Sequence, residues 1–328
     1  MMISRRAVVA TGLTLPFLAV PGRAQSKPGH LRFGLSAWPP NLQPWVTTGV
    51  SAGTVKTLIH RSLLSFNNKG ELAGELAESW SLDAQGAWVF QLRPNTVFHN
   101  GEPVTADDVK WTIEQIADAK STAFMRSQFQ SIVRIEIPDP STVRLVTREP
   151  QATLPTWFCN YNVHVVWRHS EANNPIGAGP FRLVAQERGT SLDIEAFDRY
   201  YKPGLPKLRS IKFIVYADEN LRAAALQAGD VDMIEYVPWQ AMSAVEADPR
   251  LKLDTQYGPF MDILFNGTRG PFSDARVRRA VAHAVKREDI VKVAFFGRGK
   301  PLEGVPIVEG TPWYDAELAK GWAYDTAR

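Results

Sequence analysis

Ile211-Lys212-Phe213-Ile214-Val215-Tyr216-Ala217-Asp218-Glu219-Asn220-Leu221-Arg222-Ala223-Ala224-Ala225-Leu226-Gln227-Ala228-Gly229-Asp230-Val231-Asp232-Met233-Ile234-Glu235-Tyr236-Val237 is the stretch on which the fold turns. Ile211 to Tyr216 is rich in β-branched and aromatic residues and reads as a strand. Asp218 stands where a helix needs its first free amides capped, and Gly229 stands where a helix stops. Val231 to Val237 then reads as a second strand. Strand, short helix, strand is a βαβ unit, which favours a parallel pair joined by a right-handed crossover. The class expected is therefore α/β.

The pattern continues on both sides. Leu31 to Ala37 reads as a first strand ended by Pro39 and Pro40, and Ser51 to Phe66 reads as a helix with Val55, Leu58, Ile59 and Leu63 on one face. Trp80-Ser81-Leu82 and Trp88 to Arg93 form a hairpin, and Trp88, Phe90 and Leu92 alternate at the period of a strand. Thr105 and Asp108 make a capping box before Val109, Ile113 and Ile116. Ile132 to Ile137 and Thr142 to Thr147 form a second hairpin, and Leu192 to Phe197 another strand. Pro175-Ile176-Gly177-Ala178-Gly179-Pro180 is a rigid bend and a candidate crossing between lobes. Pro238 opens a helix carrying Trp239, Tyr257 to Asn266 is extended, Ser273 caps a helix, and Glu288 to Phe296 is another, ending at Gly297. The 328 residues are more than one compact core usually serves, so two lobes are expected.

The N-terminus bears on the compartment. Arg5-Arg6 precedes an uncharged apolar run from Ala7 to Val20, then Pro21 and Gly22-Arg23-Ala24, which is the order of a secretory signal cleaved near Ala24. The run is shorter than the ~20 residues a spanning helix needs. The arginine pair beside Ser4 points to twin-arginine export, although such pairs also occur in Sec signals. The chain carries a net charge of +3, and residues 1–24 hold Arg5, Arg6 and Arg23 but no acid. The chain beyond the signal is formally neutral, so the charge gives no reason to expect a nucleic-acid partner. The single cysteine, Cys159, cannot form an intrachain disulfide, and its setting in Trp157-Phe158-Cys159 is that of an inert thiol.

Rival chemistries have weaker support. Gly49-Val50-Ser51-Ala52-Gly53 matches the G-x-S-x-G elbow of serine hydrolases. That elbow needs a strand directly before the serine, whereas Pro44-Trp45-Val46-Thr47-Thr48 is poor strand context; Ser51 or Thr54 acting as a helix cap explains the pattern more simply. Gly177-Ala178-Gly179 lacks the third glycine of a dinucleotide site. Of the six histidines, none makes a clear metal pair; His164 and His169 are the nearest case. No cofactor, metal or catalytic residue is expected.

Eight segments fall in a familiar order: Leu76-Ala77-Glu78-Ser79-Trp80, Trp88 to Arg93, Val97-Phe98-His99-Asn100-Gly101, Val104 to Val109, Pro175 to Phe181, Leu226 to Asp232, Phe265-Asn266, and Pro271 to Ala280. Together they resemble the extracytoplasmic solute-binding proteins of ABC importers of the peptide- and nickel-binding type. The departures are small: Ala178 for a usual Thr, Asn100 for a common Asp, and Ala284-Val285-Lys286-Arg287-Glu288 for Ala-Ile-Asp-Arg-Glu. The resemblance implies a periplasmic-binding-protein-like fold (type II), two lobes with mixed sheets, the second incomplete. Residues 25–65 and 176–266 would form lobe I, 66–175 an attached α+β subdomain, and 267–328 the start of lobe II. Asp325 looks like a helix cap with nothing behind it, which fits the expectation of a truncated chain.

The resemblance further implies a periplasmic receptor without enzymatic activity. It would close over a peptide, or over a nickel chelate, oligosaccharide or opine, and present it to inner-membrane permease subunits. It also implies ligand-facing positions. Trp38 follows the first strand, where the family brings lobe I to the cleft. Thr48 lies in the next loop. Phe124 follows the capping-box helix, Trp239 opens a helix, and Tyr257, Met261, Asp262 and Asn266 lie on the extended crossover. Core or hinge packing competes with the ligand role at each.

Overall fold

The computed structural model describes residues 28–46, 49–171, 174–255, 260–302, 304, 307, 309 and 314–327. The export segment, Thr48 and Tyr257 lie outside the described residues. The chain divides into two compact units, Met1–Glu235 and Tyr236–Arg328. No described helix is long and apolar enough to cross a membrane.

In chain order the first unit holds β1 (His30–Leu35), α1 (Val50–Ile59), β2 (Leu64–Phe66), β3 (Leu72–Gly74), β4 (Ala77–Leu82), β5 (Trp88–Leu92), α2 (Ala106–Ala117), the single turn α3 (Arg126–Phe129), β6 (Ile132–Asp139), β7 (Thr142–Thr147), the single turn α4 (Leu154–Trp157), β8 (Phe181–Glu187), β9 (Ser191–Ala196), β10 (Ser210–Val215), α5 (Glu219–Ala228) and β11 (Met233–Ile234). The strands build a mixed sheet in the order β11-β1-β10-β9-β8, an antiparallel sheet β4-β5-β7-β6, and the small pair β2-β3.

The deciding stretch folds as a βαβ unit with one correction. Asp218 accepts from the amides of Asn220 and Leu221 at 2.9 Å each, and Gly229, at φ 82°, ends α5. The flanking strands run parallel, yet they are not neighbours: β1 lies between them and pairs in parallel with both. The second strand also shrinks to two residues. At that end the Asp232 amide still donates to the Arg32 carbonyl at 2.9 Å, and the Asp232 carboxylate takes the Arg32 amide (2.8 Å) and guanidinium (2.7 Å).

Two buried clusters hold this unit. Phe33, Leu35, Leu192, Ile194, Ile211 and Phe213 from the mixed sheet pack on Val55 and Ile59 of α1. Phe90, Phe98, Val109, Ile113, Phe129, Val143, Leu145 and Phe158 fill the space between the antiparallel sheet and α2. Phe158 meets Phe90 and Phe129 edge-on, with ring centroids 5.2 and 5.6 Å apart. Such pairs add to the ~1.5–3 kcal/mol that burial of each ring contributes.

The capping box at α2 forms as read. Asp108 accepts from the Thr105 amide at 3.1 Å, and it also takes the Arg168 guanidinium and amide at 3.1 Å each. Only 1% of the Asp108 side chain is exposed. Asp108→Ala removes the cap and leaves the Arg168 guanidinium without its carboxylate. We expect a loss of about 2–4 kcal/mol in urea unfolding; an unchanged midpoint would contradict this account.

Other expectations need revision. The helix read over Ser51 to Phe66 ends at Ile59, because His60 is extended and Leu64–Phe66 pairs with β3. Neither Ser51 nor Thr54 caps α1: Gly49 is the N-cap, with no side-chain bond, and the Thr54 hydroxyl bonds back to the Val50 carbonyl. Leu192 to Phe197 folds as β9, shifted by one residue.

The second unit contains α6 (Met242–Ala247), α7 (Ala275–Ala284) and α8 (Arg287–Ala294). Asp274, not Ser273, caps α7 by accepting from the Arg276 amide at 2.8 Å; Ser273 closes a preceding 3₁₀ turn. Trp239 lies in a 3₁₀ turn before α6, its ring edge-on to Phe295 at 5.1 Å. Arg298 forks onto Glu246 at 2.9 and 2.6 Å. Residues 260–266 carry no strand. Met261, Ile263 and Leu264 are more than half exposed.

Candidate functional site

The carboxyl ends of parallel strands are where open α/β sheets receive ligands, because the strand ends and the helix amino termini converge there. In the first unit that edge gathers Ser36 just past β1, Ser51 in the first turn of α1, and Glu235 just past β11. One oxygen of Glu235, Oε1, accepts from the Ser36 amide and the Ser36 hydroxyl at 2.7 Å each, and from the Ser51 hydroxyl. The Ser36 and Ser51 hydroxyl oxygens are 3.0 Å apart, and the Ala37 amide donates to Ser51 Oγ at 3.2 Å. The other oxygen, Glu235 Oε2, is buried without a hydrogen-bond partner among the described residues.

The main chain below this carboxylate is pinned. Arg222, 3% exposed on α5, donates through Nε to the Glu235 carbonyl at 2.9 Å and through Nη1 to the Tyr216 carbonyl at 2.8 Å. Thus α5 ties the ends of β10 and β11 together. Directly after Glu235, Tyr236 adopts a left-handed conformation at φ 53°, unusual for a bulky residue. On the other flank, the Lys56 ammonium of α1 is 1% exposed and donates to the Val46 carbonyl at 2.6 Å. Desolvation pushes its pKa down to about 8.

This geometry is unsuited to a nucleophilic serine. Ser51 is 4% exposed and its hydroxyl donates to a carboxylate, with no imidazole among its hydrogen-bond partners in the described residues. Among the described residues before α1, 44–46 form a turn and bend and none belongs to a strand directly ahead of the helix. A hydrolase elbow needs the reverse: an exposed Oγ on a sharp turn out of a strand, beside a base. Cys159 is half-buried, and desolvation pushes its thiol up to about 11, away from thiolate chemistry.

The positions singled out from the sequence separate. Trp38 is two residues beyond Ser36 and packs partly on the apolar core of the mixed sheet. Phe124, 69% exposed, lies between α2 and α3. Trp239, Met261, Asp262 and Asn266 belong to the second unit. Trp239 is 40% exposed and Met261 78% exposed, whereas Asn266 spends its Oδ1 on the Thr268 amide and hydroxyl at 3.1 and 2.7 Å. Sequence reasoning missed Ser36 and Glu235. The available signal was an acid closing the strand Met233-Ile234 and a serine directly following the buried Leu35; each looks like an ordinary strand end until β1 is placed between β10 and β11.

The fold is that of the type II periplasmic binding proteins. A solved structure of the PBP AgaA in complex with agropinic acid, from A. tumefaciens R10, matches with a TM-score of 0.83 and 37% identity, over 91% of this chain and 62% of that one. The PBP/SBP MoaA in complex with mannopinic acid, from the same source, matches at 0.77 and 26%, over 92% and 64%. DppA from Helicobacter pylori in complex with the peptide STSA, at 0.77 and 20% over 91% and 64%, shares the fold.

The chain belongs to the bacterial extracellular solute-binding proteins, family 5, whose middle-region model matches residues 71–328. Among curated relatives, the glutathione-binding protein GsiB of Pectobacterium atrosepticum is 28% identical across the whole of this chain, which spans 64% of that relative's length.

Proposed function

We propose that this protein is the solute-capturing component of an ABC importer. After export and cleavage near Ala24 it would act in the periplasm, holding a peptide or related small solute for the permease subunits of the inner membrane without altering it. The observation that carries this reading is the carboxyl edge of β11-β1-β10. There a two-hydroxyl, one-carboxylate cluster is built by α1 and the ends of β1 and β11, and the chain leaves for its second unit at the next residue. The family supports it, as do relatives described as binding glutathione, agropinic acid, mannopinic acid and a peptide.

Sheet order supports the assignment of lobe I and its α+β subdomain: residues 30–35 and 181–234 share one sheet, while 77–147 build another. The proposed ligand contacts remain Trp38, Thr48, Phe124, Trp239, Tyr257, Met261, Asp262 and Asn266. Trp38 stands two residues beyond Ser36 and packs partly on the core of the mixed sheet.

The test is a thermal-shift and calorimetric panel of glutathione, short peptides, agropinic acid and mannopinic acid, with mass spectrometry of the solute afterwards. At a hundredfold excess over Kd the true ligand should add about 2.7 kcal/mol, a rise of roughly 5–10 °C in Tm, and be recovered intact. A solute recovered as a cleaved product, or no saturable stabilisation by any member, would overturn the reading.

A further inference from the structure

We infer that a cavity at the carboxyl end of α1 is a second small-molecule site, separate from the Glu235 cluster, and that it takes a small hydroxycarboxylate. The cavity holds about 360 Å³, toward the lower end of the range small-molecule sites occupy, and its whole wall belongs to the first unit. Thr57 and Arg61 supply one side, from the last turn of α1 and just beyond it. Ser65 of β2 and Glu75, just past β3, supply another, and Asn160, Tyr161 and His164 come from the turn after α4. Ser51 lies in the first turn of the same helix, so α1 carries the cluster at one end and this cavity at the other.

His164 shows that a partner is missing. It is 6% exposed, yet neither ring nitrogen has a hydrogen-bond partner among the described residues. Nδ1 is sealed from solvent, which leaves Nε2 as the nitrogen with access to the cavity. A buried polar ring without a partner is costly, and native structures retain one chiefly where water or function completes it.

Charge decides the class of occupant. Glu75 is the one acid in the wall, and both its oxygens are taken. Oε1 accepts from the Ser65 hydroxyl at 2.8 Å and the Lys202 ammonium at 2.7 Å; Oε2 accepts from the Tyr201 hydroxyl, with Arg61 Nε 3.7 Å away. Two cations share that acid, so one positive charge is left over. Arg61 donates through Nε to the Tyr200 hydroxyl at 3.1 Å and through Nη1 to the Thr57 and His60 carbonyls, while its Nη2 has no acceptor among the described residues. Asn160 accepts the Asn162 amide through Oδ1 at 2.8 Å, which leaves its Nδ2 as an unspent donor. A guanidinium N–H and an amide N–H in a half-enclosed, electropositive cavity suit a carboxylate, because charge-assisted hydrogen bonds are about twice as strong as neutral ones. Desolvation and the Arg61 and Lys56 charges hold the His164 ring neutral, with its pKa down to about 3. A neutral imidazole nitrogen pairs with a hydroxyl, which both donates and accepts. The occupant is therefore a carboxylate with a hydroxyl on the same small molecule.

The test uses the full chain and the reaction of Cys159, its single cysteine and part of the cavity wall, with N-ethylmaleimide. The thiol, pushed up to about 11, reacts slowly enough to follow by intact-mass spectrometry. The probes are L-lactate, L-malate, propionate and inorganic phosphate. Lactate or malate should slow labelling to a plateau, with half-protection at about 1 mM or below; propionate, which lacks the hydroxyl, should need about tenfold more, and phosphate should not protect. Asn160→Asp keeps the oxygen that accepts the Asn162 amide and puts a carboxylate oxygen in place of Nδ2, so it should weaken protection about tenfold or more. Labelling that reaches no plateau with either hydroxy acid overturns the inference. So do protection by phosphate alone, propionate protecting as well as lactate, and unchanged protection in a folded Asn160→Asp. Each of these leaves the receptor reading standing, because Cys159 reports on this cavity and not on the Glu235 cluster. Should Asn160→Asp fail to fold, the comparison of the four probes on the wild type still decides.

Discussion

Gly177→Ala should unfold this protein or lower its Tm by at least about 6–12 °C, from a loss of about 3 kcal/mol or more. A methyl on Gly177 would sit 2.2 Å from the Ile59 carbonyl oxygen, 2.9 Å from its carbon and 2.4 Å from His60 Nδ1. Two of those atoms are backbone at the end of α1 and the third is a fully buried ring, so none can swing away. The segment is also tied from both sides. The His99 amide donates to the Gly177 carbonyl at 2.9 Å, the Gly179 amide to the Ile59 carbonyl at 2.8 Å, and His99 Nε2 lies 3.0 Å from the Gly179 carbonyl. The bend therefore joins α1 to the turn around His99 and cannot retreat without breaking those bonds. Gly86→Ala is the control: at φ 79° with nothing within 4 Å of its added methyl, it carries only the strain of a left-handed backbone, about 1 kcal/mol. Thermal melts of the two variants should differ widely. Gly177→Ala melting at or above Gly86→Ala would show that this close approach is not what constrains the bend.

Acidification should produce the second large effect. His60 and His164 are 0% and 6% exposed, and their rings lie 6.4 Å apart. Desolvation pulls His60 well below its usual range, with the His164, His99 and Lys56 charges adding to the depression. Desolvation, with the Arg61 and Lys56 charges, takes His164 down to about 3. His99, desolvated and beside Arg182, falls to about 4 despite its bond to the Gly179 carbonyl. Above pH 6.5 these rings are mostly neutral in both folded and unfolded chains. Below it the unfolded chain takes up protons that the folded protein refuses, so stability falls with pH until the folded rings protonate, near 4 for His99 and 3 for His164. Each histidine contributes a slope of about 1.4 kcal/mol per pH unit inside that window.

Urea unfolding midpoints at pH 7.0, 5.5 and 4.5 should fall steeply. His164→Phe should flatten the dependence by about one proton even though it perturbs packing. Glu75 acts lower on the scale: burial opposes its charge, but Lys202, Tyr201 and Arg61 outweigh burial and hold it below the usual carboxylate range, so its contribution fades only as pH drops through that range. Equal midpoints at pH 7.0 and 4.5 would show that the three imidazoles are not buried as described.

Much of the architecture is legible in the sequence. The hairpins at Trp88 and Thr142, the Thr105–Asp108 box and the Asp218-to-Gly229 helix all form, because each depends on residues a few positions apart. Readings that fail depend on distant partners. Ser51 to Phe66 looks helical throughout, yet its last turns are lost because Leu63 and the residues after it pair with Leu72–Ala77. The edge strand Phe181–Glu187 escapes notice because five of its seven residues are exposed and its inward-outward alternation stops after Val184. Trp38 stands out for its place after the first strand. Glu235 does not, since an acid at a strand end is ordinary until its neighbours are known.

From the order of residues alone came the α/β class, the element types, and a run of segments sufficient to name the family. These follow from short-range periodicity, caps and turn residues, which act within a few positions of the chain. Tertiary structure alone decided that β1 lies between the two strands of the βαβ unit, that Gly177 presses on the end of α1, and that one oxygen of Glu235 is saturated while the other has no donor among the described residues. Each of these needs residues more than a hundred positions apart to meet, and only the packing of the folded chain sets which distant atoms share a given space.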